Sequence, residues 1–457
     1  DLFTKGLRQS GYITEFELYS NLSTGARSTQ LRSDGSLVVF TDWTLYDVGN
    51  LYGFGIFVYN ANGEFQWHEL ESIITSVPVN VTVVNIDQND NIYFLTTTMS
   101  GLSTIHYWRL NHEGSITLLN TIENVPHSGL YFSQAIRIAN NEIIAIGKTT
   151  NISNYSSSAC FFRFSSTGDT LKTVVFPHDQ IPLDSRSTAY QILPKSESLF
   201  YVSCELTQRL SSIIEIDSNG NILDRIDINN PNSHSLGTSA PSICINEASS
   251  EFLISYNKSL SDPPPLNTQF EIARIVQDSV EVLFHIGPNI LYDILKITYS
   301  NNSIYIYGIL TSTMQGVLQK YSLDGEFIWQ REQTGNNNAD GLVWIYCLYS
   351  PDLLKIGNDG CIYWSWADHL KLYAIKLLPN GQLANEDPII TPSEISIHVY
   401  PNPGKNRFNI DIKSEKEFAS IQIISIYNVK GQKVNQLDLS KTDRHQFSAF
   451  WTGKDFN

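Results

Sequence analysis

Aromatic and acidic side chains in two loop-like segments are the residues of this sequence best suited to contact a ligand. The set comprises Trp43, Tyr46, Tyr52, Trp366, Asp368 and His369. Aromatic faces stack on sugar rings or peptide groups, and carboxylates accept hydrogen bonds from the edges of such ligands. The set therefore predicts contact with a carbohydrate or a peptide. Packing between neighbouring structural units would also explain each residue singly, and the sequence leaves that alternative open.

Catalytic and metal-binding motifs are absent from the sequence. The histidines form no HExxH or HxH pair, and there is no GxSxG, GxGxxG or Walker segment. The acidic stretches DSNGNILD and NIDQNDN do not fit the EF-hand calcium loop and are interpreted as hairpin turns. We therefore predict no catalytic residue, no metal ion and no cofactor.

Composition and charge exclude several classes of partner. The chain has 457 residues and a formal net charge of −16, so it should repel nucleic acid and anionic membrane surfaces. No stretch approaches the roughly 18 consecutive apolar residues of a membrane helix. The five scattered cysteines favour buried free thiols. A disulfide between Cys347 and Cys361 stays open as the alternative.

A repeated turn supplies the elements that must position the candidate residues. It reads NANGEF, NHEGSI, SSTGDT, DSNGNI, SLDGEF and LPNGQL, and its glycines are Gly63, Gly114, Gly168, Gly220, Gly325 and Gly381. Ser279 occupies the corresponding slot in the long gap after Gly220. The seven slots span 318 residues in six intervals, a mean step of 53 residues. A second series of turns recurs at the same step, and this indicates a structural repeat.

Each repeat reads as four antiparallel strands. The second strand, for example EIIAIG or SIYIYG, is apolar almost throughout, which indicates burial on both faces. A four-stranded sheet covered on both faces by its neighbours is a propeller blade. The sequence thus predicts an all-β protein with a seven-bladed β-propeller over residues 1–384. Residues 12–19, YITEFELY, are predicted to pair with the last blade and close the ring, because an open sheet edge would otherwise remain.

The end of the chain departs from the repeat. Residues 385–394 are polar and proline-containing, as expected of a linker, and residues 395–457 start a new strand pattern with a hairpin through Gly431. This segment predicts a small β-sandwich of the immunoglobulin-like type. It is too short for a catalytic domain of its own.

The motifs of this terminal segment follow one another in a fixed order. They are Tyr400, Pro401, Asn402 and Pro403, then Phe408, Asn409 and Ile410, then Ile426, Tyr427 and Asn428, then Gly431, Gln432, Lys433 and Val434, and finally Trp451, Thr452, Gly453, Lys454 and Asp455. The ordered set resembles the type A sorting domain of cargo for the Bacteroidetes type IX (Por) secretion system. An ordinary terminal immunoglobulin-like domain is the alternative.

The resemblance implies contact with the type IX machinery, followed by release or attachment at the cell surface. It assigns the sorting motif to Tyr400, Pro401, Asn402, Pro403, Gly431, Trp451, Gly453 and Asp455. The family pattern continues into two further strands after the Trp451 segment. The domain over residues 395–457 is therefore expected to be truncated.

The sequence is compatible with two classes of function. A secreted, monomeric binding or scaffolding propeller, with a glycan or protein ligand on its loop face, is favoured, and an enzyme is less favoured. The alternative is an extracellular polysaccharide-degrading propeller or one like the quinoproteins, whose blade ends resemble DGEFIW here. A glycosidase needs two carboxylates about 5–10 Å apart. Asp42, Asp47 and Asp368 are candidates, and the sequence does not give their separation.

Overall fold

The fold is taken from a computed structural model of the chain. It describes residues 4–10, 13–18, 22–45, 50–70, 74–98, 102–125, 129–150, 157–176, 187–207, 210–229, 241–246, 249–259, 268–276, 279–287, 290–313, 315–333, 352–368, 371–384, 396–400, 408–413, 423–427, 433–438, 440–443 and 446–451. The chain divides into two compact units, Asp1–Ala384 and Asn385–Asn457. The linker predicted at residues 385–394 lies outside the described residues.

The first half of the N-terminal unit contains fifteen described strands and a 3-10 turn at Ala139–Asn141. The strands are β1 (Thr4–Ser10), β2 (Ile13–Leu18), β3 (Leu22–Leu31), β4 (Leu37–Leu45), β5 (Leu51–Tyr59), β6 (Phe65–Glu69), β7 (Ile74–Thr75), β8 (Val79–Ile86), β9 (Ile92–Thr98), β10 (Ser103–Leu110), β11 (Ile116–Val125), β12 (Tyr131–Arg137), β13 (Ile143–Thr150), β14 (Ser157–Phe164) and β15 (Thr170–Val175).

The second half continues in the same way. Its described strands are β16 (Thr188–Pro194), β17 (Leu199–Thr207), β18 (Leu210–Asp217), β19 (Ile222–Asn229), β20 (Ser242–Asn246), β21 (Glu251–Ser259), β22 (Thr268–Val276), β23 (Ser279–Ile286), β24 (Leu291–Ser300), β25 (Ser303–Leu310), β26 (Gly316–Ser322), β27 (Phe327–Glu332), β28 (Leu354–Ile356), β29 (Ile362–Asp368) and β30 (Lys371–Leu377).

These strands form seven antiparallel sheets in the described part of the unit. Blades 1 to 6 are β3–β6, β8–β11, β12–β15, β16–β19, β20–β23 and β24–β27, and blade 7 is built on β28–β30. The first strands of neighbouring blades contact one another, as β8 and β12 do, so they form the inner wall of the ring. The predicted all-β fold with a seven-bladed propeller is confirmed.

Apolar clusters lie between facing sheets and hold neighbouring blades together. Strand β25 is buried at every residue, because it lies in the middle of its sheet with a neighbour on each face. One cluster joins Phe40 and Phe54 of blade 1 to Phe94 and Trp108 of blade 2. The Phe40 and Phe94 ring centroids are 5.1 Å apart. Burial of such pairs is the main stabilising term of the ring.

The repeated glycine turns carry a second kind of contact between blades. Gly114 and Gly381 have φ angles of 93° and 85°, in the left-handed region that favours glycine. A Cβ atom at Gly114 would lie 2.9 Å from the Trp67 ring of the preceding blade, and one at Gly381 would lie 2.7 Å from Trp329. Both tryptophans therefore pack beneath the turn of the next blade, and this explains the tryptophan at the end of these repeats.

The N-terminal strands belong to the sheet of blade 7. Strand β2 pairs with β30 from Thr14 opposite Ala374 to Glu17 opposite Lys371, and the full order is β1, β2, β30, β29, β28. Strand β1, which the sequence analysis did not predict, lies outside β2. Blades 1 and 7 are also joined on the inner wall of the ring, where the Thr29 amide donates a hydrogen bond to the Asp352 carbonyl at 2.8 Å.

The C-terminal unit contains six short described strands. They are β31 (Ser396–Tyr400), β32 (Phe408–Lys413), β33 (Ile423–Tyr427), β34 (Lys433–Asp438), β35 (Ser440–Asp443) and β36 (Gln446–Trp451). Four form a sheet in the order β31, β32, β36, β35, and β33 pairs with β34. A small β unit without the propeller repeat follows the ring, as the fold prediction stated.

Candidate functional site

A polar cavity of about 340 Å³ opens on the inner wall of the ring. Strands β3, β8 and β12 supply most of its lining, together with Asp352 and Lys355 of blade 7. The strand register shifts between Ala26 and Ser28 in β3 and between Phe132 and Gln134 in β12. Arg27 and Ser133 are the extra residues at these β-bulges, which redirect side chains relative to simple alternation.

Several polar side chains of the inner wall bind the next blade. The Thr82 hydroxyl donates to the Phe132 carbonyl at 2.8 Å. The side-chain oxygens of Gln134 and Gln191 accept hydrogen bonds from the Ile192 and Ile243 amides at 2.8 and 2.7 Å. Thr82 thus satisfies a backbone acceptor, and the two glutamines satisfy backbone donors, that the irregular inner strands leave unpaired. The polarity of these side chains therefore has a structural cause.

Asp352 is the centre of a charged cluster on the same wall. Its carboxylate accepts hydrogen bonds from Lys355 Nζ at 2.8 Å, Gln30 Nε2 at 2.8 Å and Ser28 Oγ at 3.0 Å, and Lys296 Nζ lies 3.3 Å away. Burial alone would raise the pKa of Asp352, but the two lysines and these hydrogen bonds outweigh burial and hold its pKa well below the usual range. Asp352 therefore stays ionised at neutral pH.

Arg27 heads a second charged group at the cavity. Its guanidinium pairs with the Asp42 carboxylate, with a 2.8 Å bond from Nε, and Nη1 donates to the Tyr131 hydroxyl at 3.2 Å. The Arg27 and Lys148 head groups lie 5.9 and 5.7 Å from the centroid of the Tyr131 ring. The result is an aromatic wall bordered by two cations.

Two buried polar atoms of the lining have no hydrogen-bond partner among the described residues. They are the hydroxyl oxygen of Ser133 and the side-chain oxygen of Asn85. Ser133 is only 8% exposed. A buried polar atom without a partner is costly and uncommon.

The structure buries the two predicted tryptophans in one apolar cluster that joins blades 1 and 7. Trp43 and Trp366 are each 3% exposed. The Trp43 indole donates to the carbonyls of Phe54 and Leu70 at 2.9 and 3.1 Å. Trp366 stacks on Tyr373 with ring centroids 5.0 Å apart. These contacts lie within blade 1 and within blade 7, and the cluster that contains both rings spans the two blades.

Of the other four predicted ligand residues, the structure describes Tyr52 and the backbone of Asp368. Tyr52 is half-buried near the start of β5, opposite Thr44. Asp368 ends β29, with its side chain outside the described set, and Tyr46 and His369 lie outside the described residues. Ligand contact at the six residues stays a prediction.

In the C-terminal unit, Tyr400 ends β31 and the half-buried Trp451 ends β36. The remaining predicted sorting residues, Pro401, Asn402, Pro403, Gly431, Gly453 and Asp455, lie outside the described residues.

Sequence reasoning missed the cavity residues because it looked for function in the long loops. Arg27, Tyr131, Ser133, Asp352 and Lys355 lie on the first strand of a repeat or next to it. A signal was present: polar residues recur on the first strands at the repeat spacing, as Thr82, Gln134 and Gln191 do. Such residues on a strand that should be inward-facing indicate the polar wall of a channel.

Thiols and metal ligands offer no further site in the described residues. Cys160, Cys204, Cys244 and Cys361 are free and buried, and Cys347 lies outside the described set. Burial raises the pKa of the Cys160 thiol, so this thiol is unreactive. Within the same residues, no group of three or more histidine, cysteine, aspartate or glutamate side chains is placed to hold a metal ion.

Comparison with known proteins identifies the C-terminal segment. Residues 398–452 match the family model described as the secretion system C-terminal sorting domain. No curated protein matches the chain. Among the described residues, no helix is long and apolar enough to cross a membrane.

Solved propeller structures resemble the chain at low identity. The Pyrococcus horikoshii acylaminoacyl peptidase is 10% identical with a TM-score of 0.44, over 86% of this chain and 58% of that one. The β-propeller domain of the Trilobed protease from Pyrococcus furiosus is 9% identical with a TM-score of 0.43, over 80% of this chain and 98% of that one. The Dos1 propeller is 10% identical with a TM-score of 0.42, over 97% and 95%.

Fold and family together define the class: a seven-bladed β-propeller that carries a sorting domain at residues 398–452. The protein is a cargo of the type IX secretion system, as the resemblance of the terminal motifs predicted. It is directed to the outside of the cell, for release or for attachment to the surface.

Proposed function

We propose that the exported propeller binds an extracellular glycan or protein ligand without converting it. One observation carries this proposal: Asp352 is the only carboxylate among the described residues that line the channel cavity. Two lysines hold it ionised. Glycoside hydrolysis requires a pair of carboxyl groups, one of which donates a proton. Asp352 lacks a lining partner, and its low pKa makes it a poor proton donor.

The remainder of the cavity suits binding. Its lining combines hydroxyl and amide groups with the ring of Tyr131 and with Arg27 and Lys355. A rigid ring that presents a few polar groups and an aromatic face is a common design for ligand sites. We propose that four of the residues predicted above, Tyr46, Tyr52, Asp368 and His369, extend the contact surface outside the cavity, whereas Trp43 and Trp366 are buried.

The sorting domain implies contact with the secretion machinery, and the glycan or protein ligand of the propeller is the second partner. We expect a monomer, because the ring closes on itself through β2 and β30. The net charge of −16 argues against nucleic acid as the ligand.

A glycan and peptide array probed with the purified full chain tests the proposal. Retention of a defined glycan or peptide, with no product released from it on prolonged incubation, is the expected result. Release of shortened oligosaccharides or of an oxidised product would instead support the enzymatic alternative, a polysaccharide-degrading or quinoprotein-like propeller.

A further inference from the structure

One charged position of the repeat is paired in most blades and unpaired in blade 2. It lies five residues before the repeated turn slot, near the end of the third strand. Ion pairs form there in blades 3, 4, 5 and 7: Arg163 with Glu142, Glu215 with Lys195, Arg274 with Glu251, and Lys376 with Asp359. In blade 6, Lys320 donates to the Pro379 carbonyl at 3.1 Å. Arg109 of blade 2 makes no hydrogen bond or ion pair with any described residue. The packing of the repeat therefore does not account for an arginine at this position.

A second arginine reaches the same place from the first strand of blade 3. The guanidinium carbon of Arg137 lies over the Tyr93 ring, 4.2 Å from its centroid, and Nη2 donates to the Tyr107 hydroxyl at 2.8 Å. Tyr93 is paired directly with Arg109 across β9 and β10, and Tyr107 precedes Arg109 by two residues on the same face of β10. The two guanidinium groups therefore lie on the same side of blade 2, around Tyr93 and Tyr107.

The charge of this arginine pair is not balanced within the described residues. Neither Arg109 nor Arg137 forms an ion pair with a described carboxylate. The Asp87 carboxylate meets the pair only through the Tyr93 hydroxyl, which donates to it at 3.3 Å, and it also caps its own turn by accepting from the Asn91 amide at 3.0 Å. A positive surplus therefore remains here, in a chain whose net charge is −16. Charged groups that are partly removed from water are normally paired, so an unpaired guanidinium points to an anionic ligand.

The arginine pair can be reached from solvent. Both side chains are half-buried. Their Nε atoms are buried without a partner, whereas both terminal nitrogens of Arg109 and Nη1 of Arg137 also lack a partner and are not buried. These terminal nitrogens are the donors that a ligand can contact. Arg109 and Arg137 precede the turns at 111–115 and 138–142, so they lie on the face of the ring that carries these turns, and neither lines the channel cavity.

The free donors of the two guanidinium groups define the chemistry of the ligand. A guanidinium offers N–H donors and no acceptor, so the group that binds here must be an anion with several acceptor oxygens. Donors from two side chains suit the three terminal oxygens of a sulfate or phosphate ester. A carboxylate has only two oxygens, and a single guanidinium can satisfy both of them.

We propose that Arg109 and Arg137 bind the sulfate or phosphate ester group of an anionic glycan at the junction of blades 2 and 3. The Tyr107 hydroxyl and the Tyr93 ring hold Arg137 in place, and Arg109 contacts the ester from blade 2. This inference rests on the proposed function in taking a glycan as the carrier of the ester, and it adds a binding site outside the channel cavity.

Isothermal titration of the full chain at low ionic strength tests the proposal, with D-glucose 6-sulfate and D-glucose 6-phosphate as the probes. We expect at least one ester to bind about tenfold more tightly than D-glucose and several-fold more tightly than D-glucuronate, because the ester engages both arginines. No binding of either ester, affinity equal to that of glucose, or glucuronate binding as tight as that of the esters would each overturn the proposal. Tighter binding of O-phosphoserine than of both glucose esters would overturn the choice of a glycan as the carrier.

Two variants and a matched control assign the binding to this site. Arg109→Gln removes a guanidinium that bonds no described residue, so the melting temperature should hold while ester affinity falls about tenfold. Arg137→Gln should lower ester affinity to a similar extent, and it should also lower the melting temperature slightly because the bond to Tyr107 is lost. Arg163→Gln is the control at the equivalent position of blade 3. It breaks the ion pair with Glu142, so it should lower the melting temperature and leave ester affinity unchanged.

The outcomes separate this inference from the broader function. Unchanged ester affinity in folded Arg109→Gln and Arg137→Gln would overturn the arginine site. Retention of a ligand on the array would still support the binding function in that case. Release of product from the array ligand would instead remove the binding function, whereas ester binding that depends on Arg109 would still establish the site.

Discussion

The propeller, residues 1–384, and the C-terminal unit, residues 385–457, differ in how much apolar surface their described side chains bury. The propeller holds every buried apolar side chain described except Ile410, which is 7% exposed. Burial on both faces of seven sheets forces a periodic sequence, so the propeller can be recognised from its pattern. The sorting domain is recognised from particular residues in order, such as the Tyr400 and Trp451 motifs, and much less from burial.

Removal of residues 1–20 should have the largest effect on the propeller. It deletes β1 and β2, exposes the edge of β30 and leaves blade 7 with three strands. We expect the main thermal transition to move sharply to lower temperature, because the ring loses its strand-paired closure. Differential scanning calorimetry measures it. An unchanged transition would show that the β2–β30 pairing does not contribute to stability.

One substitution of an aromatic residue in each unit sharpens the comparison. Trp364 is fully buried, with its ring centroid 4.8 Å from Trp366 and 5.4 Å from Tyr307. Trp364→Ala should lower the free energy of unfolding by about 3–5 kcal/mol in denaturant titrations. Phe450→Ala, at a 57% exposed side chain of the C-terminal unit, should change it by no more than about 0.5 kcal/mol. Similar losses in the two variants would contradict the contrast in burial.

Asp352→Asn tests the charged link on the inner wall. The substitution leaves Lys296 and Lys355 without their counter-charge. We therefore expect the free energy of unfolding at pH 7 to fall by about 2 kcal/mol. The folded pKa of Asp352 is below its unfolded value of about 3.9. The contribution of Asp352 to stability is therefore complete above its unfolded pKa and is lost as the pH falls towards its folded pKa.

The wild-type protein should consequently lose more stability than Asp352→Asn between about pH 5 and pH 2. Urea titrations at several pH values measure the difference. Asp324→Asn, at an exposed turn residue, removes the same charge and serves as the control. Parallel pH profiles of the wild type and Asp352→Asn would refute the assigned role.

The smallest expected effect concerns a turn between blades. Gly381→Ala places a Cβ atom 2.7 Å from Trp329 at a φ of 85°, and we expect the free energy of unfolding to fall by about 1 kcal/mol. Gly287→Ala is the control, because among the described residues its Cβ would meet only Ile290, at 3.5 Å, and no positive φ is required. Thermal melts of the two variants should differ; if they coincide, the turn glycine does not act through its conformation.

The blades could be predicted from the sequence because buried strands require apolar residues and tight turns require glycine, and both recur at the repeat spacing. All six turn glycines have φ between 77° and 93°. The degenerate fifth repeat differs in its turn: Ser279 begins β23 and pairs directly with Val276. Strand β1, with the sequence TKGLRQS, escaped prediction because it carries no regular apolar alternation. Such an edge strand exists only because β2 offers it a partner.

The channel cavity could not be predicted in the same way. Its key residues, Arg27 and Ser133, occupy β-bulges, where one extra residue reverses the inward and outward assignment of the strand. The alternation of apolar and polar residues along a strand does not show at which residue a β-bulge occurs. The contact of Arg27 with Tyr131 also links positions 104 residues apart. Only the closed ring brings them together.

The pairing of Thr14 with Ala374 joins residues separated by 360 positions. During synthesis, β1 and β2 emerge first, and β2 must remain without β30, its partner in blade 7, until nearly all of the propeller has been made. An unfinished chain therefore presents an unpaired strand at each end, and every molecule passes through a stage in which these edges can meet another chain. The timing of synthesis and export thus sets how long that hazard lasts.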